Sequence, residues 1–195
     1  MLHNIKEFNT NSVIDTCSIL NLLSSNTLYL VARQQKCNFI ITNFIEYELL
    51  YKTRNITDPT KLSRVKEMDE ILELKLETKE ISKYDIELSD LLDPIFMIHK
   101  KFKSIGELTA IVLAKKFNIG VVTDDKQAQR IAKDYLNEQK VDSIPSLISW
   151  LFYNGHLGDS DKDRIINQQD FFFRNQKIKV EQAYLRALEE RLVSI

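Results

Sequence analysis

GELTAIVLAKKFNIGVVTDDKQ, residues 106–127, holds a helical pattern and a short apolar run back to back. The pattern ELTAIVLAKKF, opened by Glu107, spaces its apolar residues as a helix does, and the run Ile119 to Thr123 reads as a short buried strand that closes on Asp124-Asp125. Two further runs have the same form. Ser12 to Ile14 and Asn38 to Thr42 are apolar, brief and each followed by a helical pattern, which is the βαβ signature of a parallel sheet. A weaker fourth strand is expected at Val141 to Ile144, stopped by Pro145. The fold class is therefore α/β, with a short, mainly parallel sheet flanked by helices.

Between Pro59 and Lys103 the sequence is strongly helical. Leu62, Val65, Met68 and Leu72 mark one helix, and Ile86, Leu88, Leu91 and Leu92 mark a second after a break near Glu77 to Lys83. A short strand around Glu80-Ile81 fits the break. Pro94 should kink or restart the second helix. From Ser146 onward three more helical stretches follow, the last with Val180, Tyr184, Leu185, Leu188 and Leu192 on one face.

With 195 residues the chain suits a single domain, here a core of about 10–144 and a helical extension over about 145–195. An apolar content of 44% with 28% charged residues is ordinary for a soluble protein, and four Gly with three Pro leave little for a turn-rich all-β fold. No apolar core of a signal peptide lies in MLHNIKEFNTN, and SVIDTCSILNLL is interrupted by Asp15 and too short to span a bilayer, so a cytoplasmic protein without membrane association is expected. Cys17 and Cys37 lack zinc-site spacing and are expected to be reduced and buried. The net charge of −1 gives no general attraction to nucleic acid, which leaves that task to local basic residues and to metal.

In such a fold the strands end at a shared edge where ligand sites lie. Asp15 follows the first strand, Glu48 the second, Asp124 and Asp125 the third, while Glu107 opens the helix before it. Carboxylates brought close together repel and cannot all ionise without cations among them, so the set points to bound Mg2+ or Mn2+ and to phosphoester chemistry.

At these residues the chain resembles the PIN-domain family of metal-dependent ribonucleases, which includes the VapC-type toxins of bacteria and archaea. VIDTCSILNLL resembles the family's opening strand, with its first catalytic Asp and following hydroxyl at Asp15 and Thr16. IITNFIEYELLYK resembles the second motif, whose acid directly precedes a Leu, selecting Glu48 over Glu46. The stretch 106–127 resembles the third and fourth motifs, with Glu107 opening the helix and Thr-x-Asp at Thr123 and Asp125. The resemblance covers most of the chain up to about Ile144. It implies a PIN-like fold and a site in which Asp15, Glu48, Glu107 and Asp125 hold Mg2+ or Mn2+, Asp124 assists, and Thr16 and Thr123 support. It also implies an RNA substrate cleaved to a 5′-phosphate and a 3′-hydroxyl and, for a toxin, an antitoxin or other inhibitory partner; a homodimer is one candidate assembly, which the sequence does not decide. The chain carries Glu where compact toxins carry Asp at the third motif and is longer, closer to a subset with Gly-Glu there.

Each acid also has a purely structural reading. Asp15 suits an N-cap, Ser104 to Glu107 fits a capping box, and Asp124 to Gln127 fits another, which would make Asp124 the cap and Asp125 the first helical residue. Glu46 pairs with Asn43 in the same way. Asp159 to Asp163 imitates an EF-hand loop, but Arg164 stands where that loop needs Gly. His3, His99 and His156 are isolated. Lys100, Lys101 and Lys103 precede Glu107 and are candidates for RNA-phosphate contacts, and Phe171 to Phe173 reads as core or as a partner surface. Two other functions fit parts of the pattern. One is a catalytically inactive PIN module that binds RNA or protein. The other, a haloacid dehalogenase-like phosphatase, needs Asp-x-Asp after the first strand and meets Cys17 instead.

Overall fold

The computed structural model describes residues 5–52, 55–99 and 104–193. Five parallel strands form one sheet: β1 (Asn11–Ile14), β2 (Asn38–Thr42), β3 (Ser82–Tyr84), β4 (Gly120–Val122) and β5 (Val141–Asp142), in the order β3-β2-β1-β4-β5. Ten α-helices are described around it: α1 (Thr16–Leu23), α2 (Asn26–Gln34), α3 (Asn43–Glu46), α4 (Pro59–Glu77), α5 (Pro94–Ile98), α6 (Ile105–Phe117), α7 (Lys126–Tyr135), α8 (Ile144–Tyr153), α9 (Asp159–Phe171) and α10 (Lys177–Val193). The order places β1 beside both β2 and β4, with the chain running outward from it in both directions. The crevice between the carboxyl ends of β1 and β4 is thus a topological switch point.

The central strands are continuous apolar runs because both faces are covered: Val13, Ile14, Phe39, Ile41, Val121 and Val122 are all buried. Helix α6 is buried at Gly106 and from Leu108 through Ala114, and packs on β1, β2 and β4. That burial explains why it is apolar nearly all round rather than along one stripe. One hydrophobic cluster runs from Val13 to Ala187, so α8, α9 and α10 share the core of the sheet. No helix among the described residues is long and apolar enough to cross a membrane.

The expected strands at 12–14, 38–42, 119–123 and 141–144 are present within two residues of their expected ends. Elsewhere the structure corrects the sequence. The strand expected at Glu80-Ile81 lies at Ser82–Tyr84, because Ile81 is spent in the turn leaving α4, its N–H donating to the Lys75 carbonyl (3.0 Å). Ile86 to Leu92 is no helix beyond a single 3₁₀ turn at Asp90–Leu92, and Leu88 and Leu92 are exposed; the chain is held instead by Asp90, whose carboxylate accepts from the Glu87 N–H (3.0 Å) and pairs with Lys116. Pro94 restarts the helix by opening α5 at its first position. Along α10 the buried positions are Val180, Ala183 and Ala187, while Leu185 and Leu192 are exposed. Small residues win there because α8 approaches closely, with the Ser149 hydroxyl donating to the Ala183 carbonyl (3.1 Å).

Candidate active site

Asp15 leaves β1 at the switch point and is fully buried. As expected it caps α1: its Oδ1 accepts from the Ser18 N–H (2.7 Å), and its own N–H extends the sheet by donating to the Val122 carbonyl (3.1 Å). Oδ2 has no hydrogen-bond partner although it too is buried. Burial pushes the carboxyl above its usual range, against the pull of Thr123 and Ser18, and the Asp124 charge adds to the rise.

Glu48 comes from a π-helical turn, Tyr47–Tyr51, that continues α3. Such turns are uncommon and recur at functional sites. The Thr16 hydroxyl donates to Glu48 Oε2 (2.7 Å), so the residue after Asp15 fixes the second acid. Glu46, two residues earlier, points elsewhere and pairs with Lys83 (3.2 Å). The cap of α3 is Thr42, which accepts from the Ile45 N–H (3.3 Å); Asn43 instead accepts from the Ile86 N–H (3.1 Å). The Asn43–Glu46 cap expected from sequence is therefore absent.

Gly106 is the residue that sequence reasoning left without a role. A Cβ built there would lie 2.8 Å from Glu48 Oε2 and 3.1 Å from its Cδ. The bare glycine lets the Glu48 carboxylate lie against the first turn of α6, one residue from Glu107. The visible signal was a Gly inside the first turn of a helix, where it costs stability unless something must approach closely.

Glu107 stands at that first turn, where Ser104 Oγ accepts from its N–H (3.4 Å). Its pKa is pushed up to about 7, first by burial and then by the charges of Asp15, Asp125 and Glu48, with the Ser104 hydroxyl opposing. The other three acids picked out by the motifs thus act on this one carboxyl. A cleft of about 490 Å³, lined by Asn43, Tyr47, Glu48, Lys52 and Ile105, opens beside Glu48. A roomier one of about 840 Å³ between α2, α4 and α9 contains none of the four.

At the end of β4 the caps are shifted by one residue from expectation. Asp125 is the N-cap of α7, its Oδ1 accepting from the Ala128 N–H (2.7 Å). Asp124 is not a cap of that helix. Its two oxygens accept from Asn21 Nδ2 (2.6 Å) and from the Ile144 N–H (2.9 Å), and its own N–H donates to Ser18 Oγ (2.9 Å). It ties α1, β4 and the start of α8 together. Thr123 Oγ1 accepts from the Asp125 N–H (3.3 Å).

Lys100, Lys101 and Lys103 lie outside the described residues, as does His3. Cys17 is exposed rather than buried, while Cys37 is buried as expected. The Cys17 thiol is raised by desolvation and then by Asp15, which keeps it protonated and a poor nucleophile. The stretch imitating a calcium loop is the first turn of α9, where Asp161 accepts from the Gly158 N–H (2.9 Å). Phe171 and Phe173 are exposed, not core.

The donor set is all carboxylate oxygen, which suits Mg2+ or Mn2+, and the buried, unbonded Oδ2 of Asp15 is the atom such an ion would satisfy. Among the described residues no group of three His, Cys, Asp or Glu stands ready to hold a metal ion. Glu48 and Asp125 are engaged by the Thr16 hydroxyl and the Ala128 N–H. No family model matches the chain, and neither a curated protein nor a solved structure does.

Proposed function

We propose that the chain is a Mg2+- or Mn2+-dependent ribonuclease of the PIN-domain kind. The observation that carries the reading is the placing of the acids at one sheet edge: Asp15 and Asp125 follow β1 and β4 at the switch point, and Thr16 holds Glu48 against Gly106, one residue from Glu107. The motif order and the α/β architecture both agree with the resemblance in the sequence. Asp15, Glu48, Glu107 and Asp125 would hold the ion, with Asp124 kept mainly as a structural tie. When bound, the ion would lower the pKa of a water and offset the charge that develops on the scissile phosphate.

The chain's own residues have defined tasks in this reading. The Ser18 N–H holds one oxygen of Asp15 and leaves the other for the ion. Thr16 orients Glu48, Gly106 makes room for it, and the cap on α7 fixes Asp125 in place through its Oδ1. A cytoplasmic toxin held by an antitoxin is one role the resemblance allows. RNA cleavage should require millimolar Mg2+ or Mn2+ and stop with EDTA, and Ca2+ should bind without supporting turnover. Full activity in EDTA would remove the mechanism.

A second reading has its own observation, the absence among the described residues of three acids ready to hold a metal. A non-catalytic PIN module binding RNA or protein would look like this. Calorimetry separates the two, since only the enzyme should bind Mn2+ at the four acids.

A further inference from the structure

Helix α9 ends in a Schellman motif, with the Phe173 N–H on the Asp170 carbonyl (2.9 Å) and the Arg174 N–H on the Gln169 carbonyl (2.9 Å). The left-handed position of that motif normally belongs to Gly. Here it is Phe173, at φ 56°, and its ring is about half exposed rather than buried. A bulky side chain in a strained backbone position, giving nothing to the core, is a mark of a functional surface.

Its surroundings are basic and aromatic. Lys61 of α4 lies over the Phe173 ring (5.7 Å to the centroid), and the Arg64 guanidinium stacks on exposed Phe171 at 3.6 Å. A cleft of about 220 Å³ is lined by Lys61, Arg64, Phe172, Phe173 and Arg174. One acid, Glu67, pairs with Arg64 (2.8 Å). Arg174 carries the strip to the candidate active site: its Nε donates to Asn21 Oδ1 (2.7 Å) and its Nη2 to the Cys17 carbonyl (3.4 Å). Cys17 directly follows Thr16, whose hydroxyl holds Glu48, so the strip begins at the lip of the acidic pocket.

We infer that Lys61, Arg64, Arg174, Phe171 and Phe173 form a track for single-stranded RNA leading from the acidic site. The cations take phosphates and the exposed rings take base faces, a combination that fits a strand with unpaired bases and not a duplex, whose bases are stacked inside. The identity of the strand rests on the ribonuclease reading. The C-terminal extension then has a purpose, since α9 and the turn after it supply three of the five residues.

The test is fluorescence anisotropy of a short labelled single-stranded RNA, and of its duplex, on the full chain across a salt series, in EDTA and in Ca2+. Wild type should prefer the single strand. K61A/R64A/R174A should reduce the salt slope by about two, at roughly 0.7 for each phosphate that is no longer neutralised. Phe173→Gly should weaken binding on the order of tenfold while its melting temperature holds or rises, because Gly is the relaxed residue at that position. Unchanged slope and affinity in these variants, or no single-strand binding by wild type in either condition, overturns the track. Cleavage in Mn2+ is read on the same samples. Intact, variant-sensitive binding without any cleavage removes the ribonuclease reading and leaves the track standing, whereas cleavage with variant-insensitive binding does the reverse.

Discussion

In EDTA this protein should become less stable as pH rises, opposite to the usual behaviour of a carboxylate-rich surface. Glu107 is raised from 4.5 to about 7 by burial and by Asp15, Asp125 and Glu48. A carboxyl whose folded pKa lies above its unfolded one binds more protons when folded, so its stabilisation is full below the unfolded value and is lost as pH passes the folded value. At 1.36 kcal/mol per unit the full rise is about 3 kcal/mol, and because Glu107 is only half-buried, solvent screening leaves on the order of 1–2 kcal/mol lost between roughly pH 4.5 and somewhat above pH 7. Buried Asp15 is shifted in the same direction and adds to the fall. Glu107→Gln isolates the effect, because the amide cannot ionise. In EDTA, denaturant melts should show the wild type losing about 1–2 kcal/mol relative to Glu107→Gln across that window. Mn2+ should restore wild type but not the variant, and most strongly at the alkaline end, where the ion has no proton to displace. Parallel pH profiles for the two proteins in EDTA would show that Glu107 is an ordinary helix-start carboxylate and that the crowding is not felt.

Three substitutions probe the support around the acids. Gly106→Ala places a methyl 2.8 Å from Glu48 Oε2; the flexible carboxylate should move, so stability should change by less than about 1 kcal/mol while Mn2+ affinity, read by calorimetry, falls about tenfold or more. Asp124→Ala removes the acceptor for Asn21 and for the Ile144 N–H and should cost about 2–3 kcal/mol in melts, with Mn2+ affinity largely kept. Asp125→Asn keeps a side chain able to cap α7 and removes a charge beside Glu107, so the metal-free fold should be equally or more stable while RNA cleavage is lost.

The strands and the order of the acids were legible because each rests on local pattern: a short apolar run bounded by polar residues, then a carboxylate. What the sequence hid depends on approach and on competition. Asp124 and Asp125 both suit a cap, and the choice fell to Asp125 because Asn21 and the start of α8, distant in sequence, claim Asp124. Gly106 is explained only by Glu48 arriving from another element, and the π turn carrying Glu48 has no sequence signature. The apolar spacing of Ile86 to Leu92 suggested a helix, but Asp90 is drawn off to Lys116 and Leu88 and Leu92 find nothing to pack on. In α10 the Leu residues marked a face, yet close packing on α8 selected Ala183 and Ala187 instead. Phe173 in a left-handed backbone could not have been foreseen, since nothing in its local sequence calls for it.

Asp15 is the acid on which metal-dependent cleavage most depends, being fully buried with one oxygen on the Ser18 N–H and the other unbonded. Asn at this position keeps the cap of α1 and the shape of the side chain while withdrawing the charge that a divalent ion needs. The measurement is cleavage of single-stranded RNA in Mn2+ by wild type and by Asp15→Asn, with melts to confirm that both are folded. The wild type should cleave and the folded variant should show nothing above background; a variant that cleaves at the wild-type rate would mean that the Asp15 carboxylate holds no ion.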